Sequence, residues 1–236
     1  MCKLPWHVGR MVKSGEVEAK AQGGRGQRAA RGVPENGRTR ILSAAEQLFA
    51  EKGFEGCSLR QTAQASEVPL SLVTYHFGNK LGLYREVFRA RTPELIQQRL
   101  AGLALADLED DPDRKLELIV KALLIPMIGL RANKQGRRFA VLFAREVNDP
   151  ASEERGVLRD LLAPITSATL SRLTTCLPGR DPAAALWAYG AMIGAMVYML
   201  AGANWLIEAS GGAVDPDEVQ TCSQQLVSIA LAGFRR

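Results

Sequence analysis

The sequence predicts an all-α protein, with a small N-terminal three-helix unit followed by a larger helical domain. Three observations carry this. Hydrophobic residues make up 47% of the 236 residues but aromatic ones only 6%, and Ala and Leu predominate over the β-branched runs that mark strands. Apolar residues recur at three- and four-residue spacing, as on one face of a helix. Gly and Pro fall between these stripes, where helices stop and start. A chain of this length can bury one large core or two small ones.

Residues 1–37 read as a basic tail, broken by Gly23-Gly24-Arg25-Gly26. Residues 1–40 hold nine Lys and Arg against Glu16, Glu18 and Glu35, so the net charge of +5 is concentrated there. Gly, Arg and Gln in this proportion give a solvated, disordered segment. Placed beside nucleic acid, the same charge adds phosphate contacts and salt dependence. Met11 is an alternative start, and the lack of an apolar run after the first residues argues against export.

The first helix is expected over about Thr39–Lys52, with Ile41, Ala44, Ala45, Leu48 and Phe49 on one stripe, Gly53 closing it and Phe54 capping the small core. A second short helix fits Leu59–Ala65, with Ser58 as N-cap and Ser66-Glu67-Val68-Pro69 as connection. The third runs from Leu70 toward Lys80. Proline is tolerated in a first turn, so Pro69 marks its start, and Gly78 ends it. On this helix Leu70, Val73 and Phe77 can face inward while Ser71, Thr74, Tyr75 and His76 share the outer surface. Two short helices joined by a tight turn, the second polar and aromatic outside, describe a helix-turn-helix whose second helix enters the DNA major groove.

A fourth helix is expected from Lys80 or Leu81 through Leu83, Tyr84, Val87 and Phe88 toward Arg91, restarting or kinking at Pro93. Asp107, Glu109, Asp110, Asp111 and Asp113 around Pro112 read as a solvated loop rather than a metal site. Further helices are expected over Asp113–Leu130 with a kink at Pro126, over Gln135–Val147, and over Val157–Leu177 with Pro164 inside. Ala183–Ile207 has no charged residue in 25 positions and contains Gly190 and Gly194 at a spacing of four. Its length alone suits a membrane span. It is, however, rich in Ala and Gly, contains Asn204 and follows Asp181-Pro182, which favours a helix covered by its own chain and by a partner subunit. A final amphipathic helix is expected over Asp215–Phe234, with Val219, Cys222, Leu226, Ile229 and Ala230 on one stripe.

The run Arg40–Tyr84 resembles the DNA-binding domain of TetR-type (tetracycline-repressor-like) regulators. The resemblance is carried by Ala44-Ala45-Glu46-Gln47-Leu48-Phe49-Ala50-Glu51-Lys52-Gly53-Phe54 and by Val73-Thr74-Tyr75-His76-Phe77-Gly78-Asn79-Lys80. It implies a DNA-binding helix-turn-helix domain over 38–84 and a helical ligand-binding and dimerisation domain over 85–236. It implies a ligand-responsive transcriptional regulator, most often a repressor in this family, that binds a near-palindromic double-stranded operator. The protein would be a cytoplasmic homodimer paired through 182–209 and 215–234, with an unidentified small-molecule effector, no cofactor and no membrane.

By the same resemblance, Tyr75 and Lys80 fall where family members touch phosphates, and Ser71, Leu72 and Thr74 where base edges are read. Ser58 can offer a hydroxyl and backbone N–H to another phosphate, and Arg60 is a candidate on charge alone. His76 either contacts DNA or packs against the first helix, whereas Phe77 reads as core. Three departures stand out. Leu70 and Leu72 occupy positions that are often polar or small, Glu67 replaces a turn glycine, and Thr62 replaces an aliphatic residue. Fewer hydrogen-bond donors for bases imply modest specificity, with reliance on DNA shape and the basic arm. For the effector, Met127, Phe139, Phe143 and Trp187 are candidate apolar lining, with Arg145 and Glu146 as polar members. Core packing accounts equally well for the apolar ones.

Other functions fit less well. Cys2, Cys57, Cys176 and Cys222 are scattered, which suits a reducing compartment rather than a disulfide framework. Cys57, beside the second helix, is the switch of an alternative, redox-responsive reading. His7 and His76 are the only histidines, so no metal-ligand cluster is expected. There is no Gly-rich phosphate loop and no nucleophile with a nearby base, so an enzyme is not expected. A membrane-associated helical protein is the remaining alternative.

Overall fold

The computed structural model describes residues 34–177 and 181–235. Most of the basic arm, with Cys2, His7 and Met11, lies outside the described residues. Among the described residues there are α-helices, one 3₁₀ turn and no strand, as the apolar periodicity requires.

Three helices build the N-terminal unit: α1 (Pro34–Lys52), α2 (Leu59–Ala65) and α3 (Leu70–Phe77). α1 begins earlier than Thr39, with a proline in its first position, where a missing N–H breaks no helical bond. Ser58 caps α2 through a reciprocal capping box with Gln61. α3 stops at Phe77 because Gly78 takes φ 72°, a left-handed conformation that a side chain disfavours. Val73 and Phe77 are buried as expected, but Leu70 is 44% exposed rather than inward. It lies on the face shared by Ser71 and Thr74.

Next comes α4 (Lys80–Asp107), which runs through Pro93 without a break. The proline removes one helical hydrogen bond. Phe88, Thr92 and Leu95 are buried around it and hold the helix on line. α5 (Pro112–Gly129) starts at an Asp111 cap and leads through a 3₁₀ turn, Leu130–Ala132, into α6 (Lys134–Asn148). α7 (Ser152–Arg155) is a single turn that the sequence does not announce, followed by α8 (Val157–Cys176). The uncharged stretch expected as one helix is two, α9 (Pro182–Ala201) and α10 (Asn204–Ala209). Gly202 at φ 111° and Ala203 at φ 46° separate them, since two left-handed residues in succession cannot continue an α-helix. The last helix, α11 (Val219–Arg235), starts four residues later than expected.

These helices share one continuous core. α4 packs on α5 and α8, α5 on α11, α6 on α9, and α1 on both α4 and α6. α4 and α5 approach closely at Gly102, where an added Cβ would come within 2.6 Å of the Ala122 Cβ. Aromatic rings run along this core. Tyr84 meets Phe49 edge-on at 4.7 Å, Phe88 at 5.1 Å and Phe54 at 4.9 Å. Phe88 meets Phe139 at 5.5 Å, and Phe139 lies 6.5 Å from Phe143. The series passes from the N-terminal unit to the middle of the helical domain.

A buried ion cluster ties the same two regions. Tyr84 Oη donates to Glu146 Oε2 at 2.8 Å, and Arg155 Nη2 donates to the same oxygen at 2.7 Å. Arg155 also pairs with Asp149 at 2.9 Å, and its guanidinium lies 5.0 Å over the Phe54 ring. Burial, together with the Glu146 carboxylate, pushes the Tyr84 phenol well above its ordinary range, so it stays a donor. Removing one partner of a buried pair strands the other charge, at about 3–5 kcal/mol. Arg155→Met is therefore expected to lower unfolding stability by that amount. Arg172→Met, at the half-exposed pair with Asp107, is expected to cost less than about 1 kcal/mol. Urea unfolding of the two variants checks the contrast.

Candidate functional site

The expected DNA-contacting residues divide by exposure. Ser71, Thr74 and Tyr75 are exposed on α3 at positions i, i+3 and i+4, and Tyr75 is 83% exposed. That spacing puts them on one helix face. The Thr74 hydroxyl donates to Leu70 O at 3.2 Å, which leaves its oxygen able to accept. His76 is half-buried, its ring 5.3 Å from Tyr75 and 5.9 Å from Phe77. Leu72 is also half-buried and packs against the core rather than standing free.

Ser58 and Arg60 are exposed at the start of α2. The Ser58 hydroxyl already accepts from Gln61 N at 3.2 Å, so a phosphate would share it with the cap. Lys80, at the start of α4, pairs with Glu55 at 3.2 Å and sits 4.3 Å over the Phe54 ring. A phosphate must outcompete that exposed carboxylate for the ammonium.

Two departures noted in the sequence acquire geometry. Thr62 is fully buried, and its hydroxyl donates to Ser58 O at 3.2 Å, so the substitution for an aliphatic leaves no unsatisfied polar atom. Glu67 takes φ 51°, the conformation for which glycine is suited, and pairs with Arg40 at 3.0 Å. Cys57 is buried, with its thiol 3.7 Å from Thr62 Oγ1. A thiol closed off from solvent is poorly placed to meet an oxidant, which weighs against the redox alternative.

In the larger domain, a cavity of about 320 Å³ lies among α4, α5, α6, α8 and α9. Leu123, Phe143, Val147, Leu162, Ile165, Ile193 and Met196 supply apolar wall, and Arg99, Thr166 and Tyr189 supply polar groups. A surface groove of about 880 Å³ between the end of α6 and α8 shares Val147, Leu162 and Thr166 with it. Of the six expected lining residues, only Phe143 faces this cavity. Met127 and Phe139 are buried in the core elsewhere, Arg145 is exposed and Trp187 is 80% exposed. Glu146 serves the ion cluster instead. Arg99 was not anticipated. Its signal was an arginine at the middle of the stripe Leu95, Arg99, Leu103.

Two regions match known families. A model described as bacterial regulatory proteins, tetR family, matches residues 41–87. One described as tetracyclin repressor-like, C-terminal domain, matches residues 121–233. The HTH-type transcriptional repressor AcnR of Corynebacterium glutamicum is 32% identical over 89 residues, 36% of this chain and 47% of that protein. The chain thus spans about half the length of the curated relatives it matches. NalD of Pseudomonas aeruginosa, the secondary repressor of the MexAB-OprM multidrug efflux pump, superposes with a TM-score of 0.56 at 26% identity, over 84% of this chain and 96% of that one. The regulator FadR of Bacillus subtilis, solved in complex with stearoyl-CoA, superposes with a TM-score of 0.55 at 17% identity, over 83% and 98%. At that identity the last likeness speaks for the fold alone.

The strain at Glu67 gives a test of the turn. Glu67→Gly is expected to stabilise the fold by up to about 1 kcal/mol, by relieving the positive φ. It also removes a negative charge beside α3 and frees Arg40, so affinity for any DNA should rise. Thermal unfolding and fluorescence anisotropy on random duplex check the two effects.

Proposed function

We propose that this chain, which belongs to the TetR family of bacterial regulatory proteins, is a ligand-responsive repressor acting as a cytoplasmic homodimer on a near-palindromic operator. The head spans 38–84 and the ligand-binding and dimerisation domain 85–236. The observation that carries the reading is the outward face of α3, where hydroxyls and a phenol stand together over a buried Val73 and Phe77. In this reading Ser71 and Thr74 read base edges, Tyr75, Lys80, Ser58 and Arg60 hold phosphates, and His76 and Leu72 contribute at the margin.

Pairing is supported by α9. Ala183–Ala201 is long and apolar enough to cross a membrane, yet only 28% of its most apolar window is buried inside the chain. Its exposed residues, including Trp187, Gly190, Ala191, Gly194, Tyr198 and Ala201, recur at helical spacing. A stripe of small residues lets a second helix approach closely. α9 packs on α11, so two such pairs would form a four-helix interface. The break at Gly202 divides the interface expected over 182–209 into α9 and the separate turn α10. A lipid contact for the same stripe is the competing reading. The small residues, and the exposed polar Asn204 and Glu208 on the continuation through α10, favour a protein partner.

Two heads fixed by one interface would read half-sites about 34–36 Å apart. An effector in the cavity acts only through different affinities for the two head spacings, a coupling of about 1–3 kcal/mol. The aromatic series from Phe143 to Phe54 and the Glu146 cluster are the elements that would carry it.

Lys80→Ala should weaken operator and random DNA alike and lower the slope of log affinity against log salt by about one. Unchanged affinity and slope would overturn the docking orientation. Gly194→Glu introduces a charge at an exposed position where an added Cβ has no neighbour within 4 Å. The folded chain should become monomeric by sedimentation and lose cooperative operator binding. If it remains a dimer, the interface lies elsewhere.

A further inference from the structure

Three arginines on the described residues are buried: Arg99, Arg131 and Arg155. Two have carboxylate partners. Arg131 pairs with Asp217 at 2.6 Å and Arg155 with Glu146 at 2.7 Å. Arg99 is different. It is 5% exposed, and no carboxylate among the described residues pairs with it. Its Nη2 donates to Leu123 O at 3.1 Å, while its Nε has no partner. Burial lowers its pKa to about 10, which still leaves a cation at neutral pH. An uncompensated charge in an apolar interior is costly, and Arg99 lines the cavity.

We propose that this cavity takes an anionic amphiphile, whose carboxylate or sulfonate head engages Arg99 while its aliphatic body lies along Leu123, Phe143 and Ile193. This rests on the reading of the cavity as the effector site and names the chemical class that the site selects. The Arg99 guanidinium supplies a charge-assisted donor, about twice as strong as a neutral one. Tyr189 and Thr166 place hydroxyls in the same lining. The remaining wall is apolar, so a polar ligand without a hydrophobic body would gain nothing from it. A volume of about 320 Å³ lies at the small end of ligand cavities, roughly 300–1,000 Å³, which suits a short-chain body rather than a long one.

The test uses the full chain and calorimetric titration at neutral pH with octanoate, octanesulfonate and octanol, which share the chain and differ in the head. Octanoate and octanesulfonate should each bind at least about tenfold more tightly than octanol. Arg99→Gln should abolish that preference. Ile193→Trp, which fills the cavity, should abolish all three. If wild type binds octanol as tightly as the anions, or if folded Arg99→Gln keeps the preference, the anion assignment is overturned. The effector-cavity reading survives that result when Ile193→Trp still abolishes binding. Binding that persists in Ile193→Trp, or no binding of any probe to wild type, overturns both. Should Arg99→Gln fail to fold by circular dichroism, the wild-type ratio of anion to alcohol decides alone.

Discussion

The arrangement depends on one carboxylate that has no exposed side-chain surface, that of Glu146. Such a group survives burial only when every direction around it is answered. Tyr84 answers from α4, Arg155 from α7, and Ser152 Oγ donates at 3.1 Å from the start of that turn. Arg85 Nη2 in turn holds the Arg155 carbonyl at 2.9 Å. The corner between α6 and α8 is thereby clipped to the helix that leaves the DNA-reading unit. A polar cluster of this kind tends to be whole or absent, because loss of any member leaves the rest unsatisfied. Intermediate positions of the corner are accordingly disfavoured.

That property suits a switch. The cavity wall includes Val147, the residue after Glu146, and Phe143, one turn before. Anything that repositions α6 at the cavity therefore moves a group that must keep hydrogen bonds at Tyr84. The aromatic series gives a second, softer connection through edge contacts, each worth about 0.5–1.5 kcal/mol. Because α1 packs on α6 as well as on α4, the head is tied to the helical domain through both helices. Movement of the head is movement of the interface between α1, α4 and α6.

The local chemistry of the reading unit was legible because each signal there is short-range. Ser58 caps α2, Gly78 stops α3, and Val73 and Phe77 bury at the spacing a helix dictates. The strain at Glu67 was visible for the same reason, since one backbone angle decides it. What escaped were choices made by distant partners. Pro93 reads locally as a break, yet burial on both sides outweighs one missing bond. Trp187 reads as pocket lining and instead points outward from α9. Arg155 looks like a surface residue until the helices that surround it are assembled, and the place of Arg99 on an apolar stripe marks burial without marking what faces it. A buried charge is specified by what lies opposite, and sequence spacing within one helix carries no record of that.

The outward face of α9 has a consequence for the life of a newly made chain. Leu186, Trp187 and Tyr198 left in water adhere to any other apolar surface, and no charge on that helix turns wrong partners away. On the pairing proposed above, a freshly released chain is in a race between finding its twin and clumping with strangers, and only the first outcome depends on the fit of small residues. On the same pairing, scarcity slows the search as well as the accident, so assembly would set a floor on the concentration at which the chain can work.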